Sequence, residues 1–246
     1  MNIALLGYGR MGRQIEQEAL QMGHHIVARL SIGQLGELET LPAKDTIVIE
    51  FTHPESAFEN VMTCLDLGLP IVSGTTGWLE QLPKASNYCK ARGGTFLYAS
   101  NFSPGVQLML AFARISGQFL SENSHFTAEM SEIHHLQKLD SPSGTALSLA
   151  DALLKNTTRY QGWQEGEKSS GSTPFLPIKS TRQPGVVGTH EIALSAGMEQ
   201  LTFTHTALDR AVFARGALQA ASWLQGKKGV FGMEDVLFGR NPPLAP

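Results

Sequence analysis

The stretch from Glu132 to Ala146 reads Glu-Ile-His-His-Leu-Gln-Lys-Leu-Asp-Ser-Pro-Ser-Gly-Thr-Ala and gathers side chains that do chemistry. His134 and His135 close a run of β character, Lys138 follows shortly after, and Pro142 stops a helix from running through. Ser143, Gly144 and Thr145 then open a helix, whose first N–H groups have no intrahelical partner and can hold an anion. One short segment thus offers an imidazole for acid–base work, a fixed cation and an anion cradle. A small dianionic substrate needs those three things. Two other readings stay open on these residues alone. The histidines could be polar strand-end residues without a role. A metal site fits less well, because adjacent residues of an extended chain point to opposite faces and no cysteine or carboxylate stands nearby at ligand spacing. Asp140 reads as a hydrogen-bonding partner within the turn.

A second constellation opens the chain. Gly7-Tyr8-Gly9-Arg10-Met11-Gly12 fits G-x-G-x-x-G, follows a short apolar strand and starts a helix. In a dinucleotide site, Gly7 permits the tight turn, Gly9 lets the backbone approach a pyrophosphate, and Gly12 lets the helix pack close. The acidic residue that would bind the adenosine ribose at the end of the second strand is missing, since that strand ends Ala28-Arg29-Leu30-Ser31. A small polar residue with an arginine nearby leans toward NADPH, unless Arg29 points to the other face of the sheet. Gly74-Thr75-Thr76-Gly77 and Ser100-Asn101-Phe102-Ser103 fall at the carboxyl ends of later strands, where open α/β sheets bind ligands. Turn chemistry alone would also explain either segment.

The elements that must position these groups follow from periodicity. Strands over 3–6, 26–30, 46–51, 70–73 and 96–99 alternate with helices over 10–22, 54–68 and 79–92, which predicts a parallel sheet covered on both faces. After a helix over 106–120 the pattern changes to runs of β character over 125–133, 178–182, 187–196 and 201–205, broken by a helix over 145–155. Those runs suit a mixed or antiparallel sheet. Residues 157–177 read as a surface loop, and a helix over 211–224 precedes the final Met-Glu-Asp-Val-Leu-Phe-Gly. The chain of 246 residues is long enough for two modest domains, and its net charge of −3 argues against nucleic-acid binding. Cys64 and Cys89 are expected as free thiols, and with no apolar leader or membrane-length run the default location is the cytosol.

Taken together the motifs resemble the dihydrodipicolinate reductase family. The E-x-H-H-x-x-K-x-D-x-P-S-G-T-A segment is its long signature, and GYGRMG, Phe51-Thr52 with His53-Pro54, VSGTTG, ASNFSPGV, RQPGVVGTHEI and the closing VFARGALQAASWL fall in the family's order. The resemblance implies a Rossmann-like parallel-sheet domain from 1–102 and 210–246. It also implies a central α+β domain, 103–209, with a mixed sheet that binds substrate and builds a homotetramer. It implies NAD(P)H-dependent reduction of 4-hydroxy-tetrahydrodipicolinate to tetrahydrodipicolinate in lysine and diaminopimelate biosynthesis. By motif position His134 is the implied proton donor, Lys138 a proton donor or cationic stabiliser, and His135, Ser143, Gly144 and Thr145 the groups on the substrate carboxylates. The implied cofactor contacts are Gly7, Tyr8, Gly9, Arg10, Met11, Gly12, Ser31, Phe51, Thr52, Gly74, Thr75, Thr76, Ala99, Ser100, Asn101 and Phe102, with no metal. Four departures stand out: Glu50 replaces the family's usual Asp, Gln137 holds the often basic or polar position before the signature lysine, the first glycine motif is one residue shorter than in some members, and Ser31 holds the ribose-binding position. Two rivals remain: an amino-acid dehydrogenase of the same architecture, which should lack the histidine–lysine segment, and a non-enzymatic dinucleotide sensor, which should have lost His134 or Lys138.

Overall fold

The computed structural model describes residues 1–31, 33–166 and 175–239. The chain begins with β1 (Asn2–Leu6), α1 (Arg10–Gln21), β2 (His25–Leu30), β3 (Thr46–Glu50), α2 (Pro54–Asp66), β4 (Ile71–Ser73), α3 (Leu82–Ala91) and β5 (Thr95–Tyr98). It continues with α4 (Pro104–Glu122), β6 (Thr127–His134), α5 (Gly144–Leu154), β7 (Trp163–Glu165), β8 (Leu176–Arg182), β9 (Gly188–Ala196) and β10 (Glu199–Ala207). The last elements are α6 (Ala211–Leu224), β11 (Gly229–Phe231) and α7 (Met233–Phe238). Two compact units result: Met1–Pro104 with the described residues 211–239, and Gly105–Arg210 between them in sequence.

In the first unit all strand pairs are parallel, in the order β11-β5-β4-β3-β1-β2. Parallel strands lie buried on both faces and therefore read as continuous apolar runs, and Thr-Ile-Val-Ile-Glu of β3 is buried at every position. Ile3, Leu5, Ile47 and Ile49 pack on one face against Ile15 and Ala19 of α1 and the alanine-rich side of α6. Ala4, Leu6, Val48 and Ile71 pack on the other against Ala57 and Val61 of α2 and Ala85 and Cys89 of α3. Pro54 sits in the first turn of α2, where its missing N–H leaves no bond unmade. Cys64 and Cys89 are both free and buried. Three-residue β11 has no counterpart in the sequence expectation, because three residues carry no readable period; it adds the edge strand beside β5. A short 3-10 helix over Leu35–Thr40 fills part of the segment between β2 and β3.

In the second unit the sheet order is β10-β9-β6-β8-β7, with β6–β8 and β7–β8 parallel and β6–β9 and β9–β10 antiparallel. The expected loop over 157–177 is corrected in part: Trp163–Glu165 pairs with β8, and β8 itself starts at Leu176. Residues 167–174 of that segment lie outside the described residues. Side chains of β6 alternate, so Ala128, Met130, Glu132 and His134 share the face turned to the core. Along that face the sheet grades from apolar to polar. Met130 stands between Ile178 and Ile192, Glu132 between Ser180 and His190, and His134 beside Arg182. α4 and α5 cover the apolar rows with Met109, Ala113, Leu149 and Leu153, leaving the polar rows at the carboxyl end of β6. No described helix is long and apolar enough to cross a membrane.

Candidate active site

At the end of β1 the chain turns at Gly7, which has φ +96°, and a Cβ there would stand 2.0 Å from the Phe51 carbonyl oxygen. Only glycine fits that conformation and that approach. A Cβ on Gly12 would lie 2.2 Å from the Gly7 oxygen, so α1 packs directly on the loop. Gly9 faces open space, with nothing within 4 Å of an added Cβ. Gly9 caps α1 without a side-chain hydrogen bond, and the first turn carries no acidic residue. The helix thus places no carboxylate of its own first turn beside the N–H groups of Arg10, Met11 and Gly12, an arrangement that fits a pyrophosphate.

Glu50, fully buried at the end of β3, organises the neighbouring loops. Its Oε1 accepts from the Thr75 hydroxyl at 2.6 Å and the Thr52 N–H at 3.0 Å, and its Oε2 accepts from the Ser73 hydroxyl at 2.6 Å. The Thr52 hydroxyl also donates to Oε1. Here the longer side chain spans β3 and β4 and leaves no oxygen unpaired. The Phe51 ring fills the space a Cβ on Gly74 would need, 2.2 Å away, and leans on Phe102 at 5.6 Å. Of the expected cofactor contacts, Thr75 and Phe102 have buried side chains, whereas Gly9, Arg10, Ser31, Thr76 and Ser100 are exposed and Tyr8, Met11, Gly74 and Asn101 lie between. Ala99 is buried, its N–H bonded to the Ser73 carbonyl at 3.2 Å.

Arg29 is not left over for a phosphate. Its Nε donates to Glu16 Oε1 on α1 at 2.8 Å, its terminal nitrogen makes a second bond to the same oxygen, and the Tyr8 hydroxyl donates to Glu16 Oε2. The Arg29 bond first and the Tyr8 bond second hold the Glu16 carboxyl below the usual carboxylate range. The Ser31 N–H donates to Gln34 Oε1 at 2.8 Å, with no carboxylate in that contact.

In the second unit the polar rows converge. Glu132 is fully buried; its Oε1 accepts from Arg182 at 3.2 and 3.3 Å and from the Ser143 N–H at 3.1 Å. Its Oε2 lies 3.3 Å from His134 Nδ1, within ion-pair range though outside hydrogen-bond geometry. Burial alone would raise the Glu132 pKa; the His134 contact and the Ser143 bonds outweigh it and hold the carboxyl down at about 2. His190 Nε2 pairs with the Ser143 hydroxyl at 3.1 Å. Burial, with His134 adding to it, pushes His190 down to about 4, so it is neutral near pH 7. Ser143 caps α5 by accepting from the Ala146 N–H at 3.2 Å. Its N–H and hydroxyl are therefore both engaged within the protein, while Gly144 and Thr145 remain exposed and half-buried.

Lys138 Nζ pairs with Asp140 at 2.9 Å, and the turn that carries both is pinned by Arg182, which donates to the carbonyls of Lys138 at 3.4 Å and Asp140 at 2.5 Å. Burial would raise the Asp140 carboxyl; the Lys138 bond and backbone N–H groups, that of Gly144 included, lower it further than burial lifts it. His135 Nε2 accepts from Arg210 at 2.8 Å. Sequence reasoning missed Glu132, Arg182, His190 and Arg210 as parts of this cluster. Only the register of β6 against β8 and β9 brings the first three together, and no local pattern encodes that register. Glu132, His134 and His190 each place one donor atom within 4.8 Å of the others, a set the sequence spacing did not show. Arg182 on the same carboxylate opposes a second cation there.

Comparison with known proteins agrees with this geometry. Residues 1–102 match the family model described as dihydrodipicolinate reductase, N-terminus, and residues 105–237 match dihydrodipicolinate reductase, C-terminus. The 4-hydroxy-tetrahydrodipicolinate reductase of Christiangramia forsetii is 41% identical over 240 residues, covering 96% of this chain and 98% of that protein. The enzyme of the same name from Acidiphilium cryptum is 34% identical, covering 93% and 94%. The dipicolinate-bound dihydrodipicolinate reductase from Paenisporosarcina sp. TG-14 superposes with a TM-score of 0.75 at 25% identity, covering 96% of this chain and 99% of that one.

Proposed function

Because the chain belongs to the dihydrodipicolinate reductase family, we propose that it reduces 4-hydroxy-tetrahydrodipicolinate, with loss of its hydroxyl as water, to tetrahydrodipicolinate, with His134 as proton donor and Lys138 as the cation on the substrate. It is an oxidoreductase of lysine and diaminopimelate biosynthesis with a Rossmann-type site for a nicotinamide dinucleotide. The observation that carries the assignment of roles is the convergence, at the carboxyl end of β6, of a buried histidine, a pinned lysine turn and the start of α5.

When bound, the reduced nicotinamide supplies a hydride. Gly7, Gly9, Arg10, Met11 and Gly12 would hold its pyrophosphate, and the loops Phe51–Thr52, Gly74–Thr76 and Ala99–Phe102 would hold the rest of the dinucleotide. Loss of water from the substrate leaves a conjugated imine; hydride addition to it develops negative charge, which a fixed ammonium stabilises. A positioned imidazole then delivers the proton. Lys138 and the Gly144 N–H exchange their Asp140 partner, and His135 its Arg210 partner, for the substrate carboxylates, with the Thr145 N–H completing the anion contacts. Ser143 acts from behind, as cap and as the bridge to His190 and Glu132. The dipicolinate in the Paenisporosarcina enzyme supports a small dicarboxylate ligand.

Use of NADPH at least as well as NADH is part of the proposal and rests on the missing carboxylate at Ser31, with Arg29 held by Glu16. A homotetramer is proposed too, supported by an apolar groove of Phe112, Ile115, Phe119, Leu201 and Phe203 on the second unit, and light scattering reads the mass directly. A cytoplasmic location is in keeping with the biosynthetic role. The activity test is a coupled assay in which enzymatically generated substrate is added and oxidation of NADPH and NADH is followed in parallel. Turnover with neither coenzyme would overturn the reading.

A further inference from the structure

The signature histidine has two ring nitrogens, and the structure treats them differently. Nδ1 of His134 is sealed from solvent, and among the described residues the carboxylate oxygen paired with it is Glu132 Oε2, 3.3 Å away and short of hydrogen-bond geometry. A proton exchanged with a substrate must therefore pass through Nε2. That nitrogen faces Gly188, where an added Cβ would come to 2.9 Å, so the neighbouring strand is bare where the ring needs room. We propose that Glu132 is a positioning residue for the reaction: its buried carboxylate holds the proton of neutral His134 on Nδ1 and stabilises the imidazolium, leaving Nε2 to serve the substrate. The inference rests on His134 being the proton donor.

The carboxylate of Glu132 must satisfy several groups at once. Oε1 accepts from Arg182 and from the Ser143 N–H, both of which are donors only. Oε2 is then the remaining acceptor for an N–H at Nδ1. A carboxylate serves both sides because each oxygen accepts. A carboxamide does not, because one of its ends is an NH₂. With Arg182 and Ser143 fixed on one side, the amide of a glutamine turns its oxygen to them and its NH₂ to His134. Nδ1 must then accept, and the ring is locked with its proton on Nε2. The imidazolium, which needs an acceptor at Nδ1 as well, is disfavoured, and the neutral ring that remains is a very weak acid. The carboxylate's third neighbour, His190, does not compete: its Nε2 is 3.8 Å from Oε2 and already paired with Ser143. Glu132 also ties the Arg182-pinned turn and the α5 cap to the strand, so a purely structural role must be separated from the one proposed.

Glu132→Gln, Glu132→Asp, His134→Gln and the Glu132→Gln/His134→Gln double variant make the test. Steady-state kinetics are combined with NMR of protein labelled with ¹⁵N-histidine, and titration of the coenzyme monitors the first unit as a folding control. Glu132→Gln is expected to lower kcat on the order of 10²-fold with a much smaller change in KM for the substrate. Glu132→Asp should recover part of the loss, because the charge returns. The double variant should be no slower than His134→Gln. The neutral His134 ring should carry its proton on Nδ1 in the parent protein and on Nε2 in Glu132→Gln. An unchanged tautomer, or a Glu132→Gln that changes KM alone, would show that Glu132 only anchors the turn. If His134→Gln itself keeps its kcat, the proton-donor reading and this inference fall together. If it collapses while Glu132→Gln does not, this inference alone falls.

Discussion

Replacing His190 by glutamine tests the electrostatics of the buried row directly. Burial first, and the nearby His134 second, push the His190 imidazole down from 6.5 to about 4 in the folded protein. Throughout that window the unfolded chain binds a proton that the folded one refuses. The contribution to stability is therefore full above about pH 6.5, is lost as the pH falls, and stops falling near pH 4. Between about pH 7 and about pH 5 the linkage relation gives a loss of about 2 kcal/mol for this one group. Of the charged and titratable neighbours, His134, Lys138 and His205 deepen the shift and only Glu132 opposes it. Glu132 governs the next window down: its carboxyl, held at about 2 against an ordinary 4.5, adds stability that is present above about pH 4.5 and lost as the pH falls toward 2. The assay is urea unfolding at about pH 7 and about pH 5, at constant ionic strength, for the parent and His190→Gln. The variant starts less stable, because it loses packing, but its stability should fall by about 2 kcal/mol less between the two pH values. Equal falls in both proteins would refute the argument that His190 is held neutral by the fold.

Three further outcomes are expected. His134→Gln should lower kcat by roughly 10²–10⁴-fold with little change in KM, whereas Lys138→Ala should damage both, because the ammonium meets substrate charge before and during reduction; near-normal kcat in the first variant would make the imidazole a binding group. Gly188→Ala places a methyl group 2.9 Å from His134 Nε2 and should cost on the order of 10²-fold in kcat through a displaced ring, with the urea midpoint little changed. Glu16→Gln releases Arg29 at the end of β2 and should raise the ratio of kcat/KM for NADPH over NADH by about two- to fivefold, the scale of a part-exposed ion pair; an unchanged ratio would place Arg29 outside coenzyme recognition.

The parts of the fold that the sequence made plain are those written locally. The glycine loop was readable because strand, turn and helix start lie within a dozen residues, and Gly7 and Gly12 each answer a nearby contact while Gly9 leaves open space. The histidine–lysine segment was readable as a list of groups, but not as an assembly. Glu132 meets Arg182 across a separation of 50 residues, and that meeting depends on the parallel pairing of β6 with β8. Likewise Ser143 was expected among the substrate contacts, yet its hydroxyl is committed to His190, 47 residues away. The direction of Arg29 could not be read from alternation, because the pairing of β1 with β2 shifts register between Ile3 and Ala4. Strands β7 and β11, three residues each, are defined by their partners and not by their own composition.

The first unit is assembled from two stretches of chain with Gly105–Arg210 between them, and this orders events during synthesis. When Pro104 has been made, five of the six strands of the parallel sheet exist, but Ile3, Leu5, Ile49, Val72 and Leu97 still lack α6, and β5 lacks β11. At roughly 5–20 residues per second, that apolar face waits on the order of 5–20 s for its cover. The second unit, continuous in sequence, can close first. A nascent chain of this protein therefore passes through an interval in which the half holding the glycine loop is the later to finish, and in which a sheet face covered only in part, by α1, is the surface a chaperone would meet.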